Sequence, residues 1–413
     1  MSALDTAVLA LDPLLSGDLD LGIVGIVVLK VVVAFTLLLV SVMLMIWFER
    51  KLVADMHNRI GPAVAGPFGI LQTLADGIKL FFKEDLIPEN ADRPVFKLAP
   101  YLSLVPAFLV FAIVPIGGDF RTGDGTVGWF GHRTFLQVAD PPMGILLFLA
   151  LSSVAVYGVM LAGWSSGSKY PLLGSVRASA QMISYEAALG LAIATVFLTG
   201  GSLSTHEIVS SQSNWNWNVA TTGVVPFLIF LVAGTAELNR PPFDLVEAEQ
   251  ELVGGFHTEY SSIRFALFFL AEFMNVITMS AIAVTLFLGG PDGPILVERV
   301  AWLWPILWFS LKLSAFLFTF VWLRATLPRI RYDQLMDLGW KVLIPLALGW
   351  FLLVAALNVG RDRGWSPVPV VLVSVAVLWA GTAMLGGAVR KARAERRALE
   401  FGSDEALDAG NGA

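Results

Sequence analysis

A chain of 413 residues that is 56% hydrophobic and 15% charged, with a formal net charge of −6, lies outside the range of soluble globular domains and implies a lipid environment. With no cysteine it has no disulfide framework, no cysteine-ligated iron–sulfur cluster, no cysteine zinc site and no thiol nucleophile. His57, His132, His206 and His257 show no haem or zinc spacing, so no metal site is expected and any electron carrier belongs to a partner.

The first apolar stretch, residues 20–48, follows Asp5, Asp12, Asp18 and Asp20 and not the positive leader of a cleavable signal, so it reads as a permanent span. Lys30 within it reads as a snorkelling or structural charge. In the next connection Ile70, Leu71, Leu74, Ile78, Phe81 and Phe82 fall on one side of a helix, with Gln72, Asp76, Lys79 and Lys83 on the other. This is the pattern of an amphipathic helix at the interface, introduced by Gly61-Pro62, Gly66-Pro67 and Gly69 and flanked by Arg50, Lys51 and Arg59.

Further spans are expected at 97–116, 142–164, 176–199, 221–239, 263–289, 300–325, 341–358 and 367–388. Gly117-Gly118-Asp119, Arg240-Pro241-Pro242 and the run Gly289 to Pro294 break the pattern for backbone reasons. The expected fold is an all-α integral membrane bundle of about nine transmembrane helices, with a cytoplasmic amphipathic helix and an acidic cytoplasmic loop. Residues 1–358 would form a core of eight spans, and 359–413 an extension carrying the ninth span and a basic tail.

Lysine and arginine fix the expected orientation. With the N-terminus outside, twenty of the 27 fall in cytoplasmic connections, five (Arg121, Arg133, Arg299, Arg361, Arg363) on the other face, and Lys30 and Lys312 within spans. The C-terminus is then cytoplasmic.

The third cytoplasmic connection packs Asp244, Glu247, Glu249, Glu251 and Glu259 into 16 residues, against Arg240 and Arg264 nearby. If helical, it makes Glu247 and Glu251 neighbours whose repulsion raises the apparent pKa of the pair, which suits a proton relay; a solvated acidic loop is the plainer alternative. Glu186, Glu237, Glu272 and Lys312 fall inside adjoining spans, where each costs a few kcal/mol unless paired or hydrated. Arg264, Phe268, Glu272, Asn275 and Met279 share one helical face, which should look into the bundle. Glu186 points about 180° away from Arg177 on its helix. No phosphate-cradling loop, nucleophile elbow or metal cluster is present in the sequence, so conduction, binding and coupling remain.

Several long motifs appear in order: Glu49-Arg50-Lys51, Arg59-Ile60-Gly61-Pro62, Gly66 to Lys79, Ala180 to Glu186, Ala236 to Asp244, Glu247 to Tyr260, Ala271-Glu272 and Arg324 to Leu335. Together they resemble the H-type membrane subunit of bacterial respiratory NADH:quinone oxidoreductase (complex I), whose mitochondrial counterpart is NADH dehydrogenase subunit 1. The resemblance covers about 340 residues. It implies a membrane subunit of a proton-translocating enzyme in a prokaryotic plasma membrane. Its partners would be the peripheral quinone-site subunits, adjacent small membrane subunits and lipids, with no nucleic acid.

It further implies a tunnel for quinone (ubiquinone or menaquinone) as substrate, with no FMN or iron–sulfur cluster on this chain. Arg50, Arg59, Asp76 and Phe269 match tunnel-lining positions. Glu186, Glu237, Glu247, Glu249, Glu251, Glu259 and Glu272 match the carboxylate relay to the antiporter-like subunits, supported by the charges Arg240, Lys312, Arg324, Arg329 and Arg331. The arginines could hold an anionic quinone species or pair with acidic residues of a partner.

The sequence departs from the family pattern in Ala63, where asparagine usually follows Gly-Pro, and in the final span with its basic tail Arg390 to Arg397, read as a lipid or partner contact. A hydrogenase-type membrane anchor would share the acidic loop without needing quinone. An independent transporter should show internal repeats, and none is seen.

Overall fold

The computed structural model describes residues 12–15, 20–121, 123–245 and 252–364. The expected ninth span, the basic tail and Glu247, Glu249 and Glu251 lie outside the described residues. Residues 1–347 form one compact unit and residues 348–413 a second, whose described part is the end of a helix.

The chain is mostly helical. Helix α1 (Leu21–Met56) starts where Asp20 accepts a hydrogen bond from the backbone N–H of Leu21. It is followed by α2 (Gln72–Phe82) and α3 (Arg93–Phe111). A hairpin of β1 (Thr126–Trp129) and β2 (His132–Phe135) precedes α4 (Gly144–Ser165) and α5 (Lys169–Gly200). Two short helices, α6 (Thr205–Ser211) and α7 (Asn218–Thr221), lead into α8 (Val224–Glu237). Helices α9 (Ser262–Phe287), α10 (Leu303–Thr326) and α11 (Tyr332–Leu338) follow. A π-turn, Gly339–Leu343, joins α11 to α12 (Ile344–Asp362).

Seven described helices are long and apolar enough to cross a membrane, with α11 and α12 counted as one; α8, at 14 residues, is a shorter apolar helix. These helices overlap the first eight expected stretches in order, seven of them at spanning length. A short β-hairpin stands beside the helices of this all-α membrane fold. Its two-residue turn, Phe130 and Gly131, has positive φ at both positions, the type I′ geometry that suits a twisted ribbon, and four-residue strands leave too short an alternation to read.

Helix α9 is the hub of the first unit. Its apolar window is 72% buried, against 28% for α1 and 22% for α10, which turn apolar faces outward. The core around it gathers Leu38, Tyr185, Leu189, Ile193, Phe230, Ile277 and Phe287. The expected amphipathic helix exists as α2, with Phe81 and Phe82 exposed and no residue of the helix buried.

The first unit has two polar ends. At one, Lys30 pairs with Asp12 at 2.5 Å, and Thr134 of β2 donates to both Asp12 oxygens. Lys30 is thus a structural charge, buried and paired. The other end carries Glu49, Arg59, Arg240 and Arg324.

Candidate functional site

Helix α1 continues past the expected span to Met56, and this extension places Glu49, buried, against two arginines. Arg324 at the end of α10 pairs with Glu49, and Arg240, just after α8, sits 3.5 Å from it. Arg240 also lies with Nε 3.0 Å from Glu272 Oε1 and its guanidinium 4.3 Å above the ring of Phe273. The charges alternate: Arg324, Glu49, Arg240, Glu272. Such an arrangement lets each buried charge face an opposite one, offsetting desolvation that an isolated ion could not meet.

On the open side of this chain of charges is a cleft of about 390 Å³ lined by Glu49, Arg50, Arg59, Ile60, Gly61, Pro62 and Arg324. Arg50 also pairs with Asp76 of α2 at 2.7 Å, and Gln72 donates to the other Asp76 oxygen at 3.1 Å. The turn before α2 needs glycine. At Gly69, with φ +77°, a Cβ would fall 2.4 Å from the carbonyl of Pro62.

On the inner side is a cavity of about 70 Å³ whose lining includes Glu237, Asn239, His257, Phe265, Phe268, Phe269, Glu272 and Asn275. The face predicted from Phe268, Glu272 and Asn275 does look into the bundle. A second cavity of about 30 Å³ shares Met182, Glu237, Leu238 and Asn275 with the first and reaches Ser152. There Ser152 and Ser153 of α4 donate to Glu186 of α5, the first at 3.4 Å. Among the described residues, Glu237 Oε2 and Asn239 Oδ1 are buried without a hydrogen-bond partner.

Gln181, earlier on the same helix as Glu186, donates to the carbonyls of Ala236 and Phe243, tying α5 to both ends of the Glu237–Arg240 segment. Asp244 pairs with Arg329 at 3.0 Å. Burial lowers the pKa of His257 to about 4, against an opposing contribution from Asp244, so the imidazole in the cavity wall is neutral. Burial likewise pushes Tyr260 up to about 12; its ring stacks on Phe96 with centroids 4.0 Å apart.

Not every expected site residue joins this path. Glu259 is half-buried between the turn Gly255–His257 and α9, and Arg331 is exposed and pairs with Asp333 at 3.7 Å. Arg177 lies over Tyr332 at 5.0 Å, away from Glu186 as its helical angle requires. Lys312 is at the opposite end of α9, where Nζ donates to the carbonyls of Leu288, Gly290 and Asp292 at 2.7, 2.9 and 2.8 Å. Those carbonyls begin 16 residues beyond Glu272, about 24 Å along a helical rise. Sequence reasoning missed Glu49 as a site residue; its only signal was its place in a charged triplet at a span's end.

The sequence matches the family described as NADH dehydrogenase over residues 29–355. It is 55% identical over 337 residues to the NADH-quinone oxidoreductase H subunit of Frankia casuarinae, covering 81% of this chain and 73% of that protein. It is 54% identical over 360 residues to the corresponding protein of Frankia alni, covering 86% and 78%. The corresponding protein of Streptomyces avermitilis is 51% identical over 345 residues, covering 82% and 74%. With most of both sequences aligned at this identity, the chain belongs to the NADH dehydrogenase family of NADH-quinone oxidoreductase H subunits.

Proposed function

We propose that this chain is the membrane subunit that walls the quinone-access tunnel of a proton-translocating NADH:quinone oxidoreductase and begins the carboxylate relay that couples quinone reduction to pumping. The observation that carries the reading is the alternating row Arg324, Glu49, Arg240, Glu272, which runs from the Arg50–Arg59 cleft to the cavity of Glu237. The cleft faces the peripheral arm and the cytoplasm, and quinone is the substrate that reaches it. Phe265, Phe268 and Phe269 give the inner cavity an apolar wall facing its carboxylates.

The residues act on charge and protons. Arg240 has a carboxylate on each side, so a change of charge at the quinone shifts its preference between Glu49 and Glu272. A proton then reaches Glu272 and passes through a cavity with room for a few waters to Glu237. The Ser152 and Ser153 hydroxyls lead from there to Glu186.

Glu237→Gln tests the relay, because glutamine keeps the shape and loses the titration. In membranes with normally assembled complex, the expected result is electron transfer with a reduced number of protons per electron, or loss of both. Unchanged pumping at unchanged turnover would remove Glu237 from the path.

A further inference from the structure

Helix α2 has eleven residues, none buried, and exposes Leu74, Ile78, Phe81 and Phe82. A helix this short is marginal by itself, so its place is set by the few ties it makes. Around its first half the ties run to α1. Trp47 Nε1 donates to Phe68 O at 2.9 Å, Thr73 Oγ1 donates to Met43 O at 3.4 Å, and Arg50 pairs with Asp76.

The other end is stitched to the start of α9. Ser262 Oγ lies 2.9 Å from Leu80 O and 2.7 Å from Lys83 O, carbonyls that the end of a helix otherwise leaves without donors. Ser261 Oγ accepts from Leu86 N at 3.0 Å and donates to Glu84 O at 3.2 Å. Arg264 adds an ion pair to Asp85 at 2.9 Å. Ser262 is held at φ +55°, a left-handed conformation that a serine keeps only when its surroundings over-determine it. Ten residues further along α9 is Glu272, about 15 Å away.

We propose that Ser261 and Ser262 are positioning residues that join α2 to the first turns of α9 as one rigid piece, so that the Arg50–Asp76 pair and Glu272 respond together to quinone in the tunnel. The proposal rests on the tunnel reading above. Polar ties join α2 to both α1 and α9, and cutting the serine stitch leaves the Arg264–Asp85 pair, beyond the helix end, to hold the α9 side. Movement at Asp76 would then reach the helix that carries Glu272 more weakly.

The test is a double-mutant cycle on the assembled complex in membranes. Ser262→Gly removes the hydroxyl and leaves the left-handed backbone unstrained. Together with Asp76→Asn and the double variant, it is read as KM for a long-tailed quinone, kcat and protons per electron, with assembly checked on native gels. Each single change is expected to raise KM, and the double effect to fall short of their product by about 2-fold or more, the mark of groups sharing one element. Ser262→Gly combined with Glu186→Gln should multiply simply. A simple product for Ser262 and Asp76, or an unaltered Ser262→Gly enzyme, overturns the stitch while leaving the tunnel intact. An Asp76→Asn enzyme with unchanged KM overturns the tunnel reading, and the stitch with it.

Discussion

Arg240 stands between Glu49 and Glu272, 3.5 Å from the first and 3.0 Å from the second, and is only 7% exposed. Removing it would take the cation from beside Glu272 and leave Glu49 with Arg324 alone, and a broken buried pair costs about 3–5 kcal/mol. Arg240→Met is therefore expected to lower the amount of assembled complex and speed thermal inactivation. Arg240→Lys keeps the charge without the planar fork and should fall between. Normal assembly of the methionine variant on native gels contradicts this.

Lys312 Nζ donates to three carbonyls at the far end of α9. Lys312→Met leaves those carbonyls without their donor, so thermal stability should fall by roughly 1–3 kcal/mol. Turnover and protons per electron, counted per assembled complex, should hold. A pumping defect in fully assembled enzyme would instead put Lys312 in the relay.

His257 titrates near 6.5 when exposed and near 4 in the folded chain, because burial disfavours the cation. Between those values the unfolded chain binds a proton that the folded chain does not. Acidification through that window thus weakens the fold, by on the order of 3 kcal/mol once the pH is below about 4. His257→Gln should flatten part of the acid dependence of thermal stability between pH 6.5 and 4.5. It should leave the pH profile of quinone reduction near 6.5 unmoved; a shifted profile would mean that this imidazole changes charge in turnover.

Gly69 holds φ +77° against the Pro62 carbonyl, and any side chain there collides with backbone. Gly69→Ala is expected to displace α2 and cut quinone reduction several-fold more than reduction of an artificial acceptor upstream. Equal activity with both acceptors would show that the turn does not set the quinone path.

The spans were legible because twenty apolar residues in a row have few alternatives, and the polar face of α9 because Phe268, Glu272 and Asn275 repeat at helical spacing. Glu49 was not, because its partner Arg240 is 191 residues away and nothing local marks a pairing across that distance. The acceptors of Lys312 were hidden for a related reason. The turn Leu288 to Asp292 folds back to supply three carbonyls to this lysine within a span, and sequence spacing does not reveal backbone acceptors. The hairpin's four-residue strands were too short to show alternation.

The central claim, that Glu272 links quinone chemistry to proton movement through Arg240, is tested most directly by Glu272→Gln. NADH:quinone reduction, its inhibitor sensitivity and proton pumping would be measured in membranes, with assembly matched on native gels. The expected result is an intact complex that loses both activities yet still reduces an artificial acceptor upstream. Full retention of both would make Glu272 a structural partner of Arg240 and contradict the proton path.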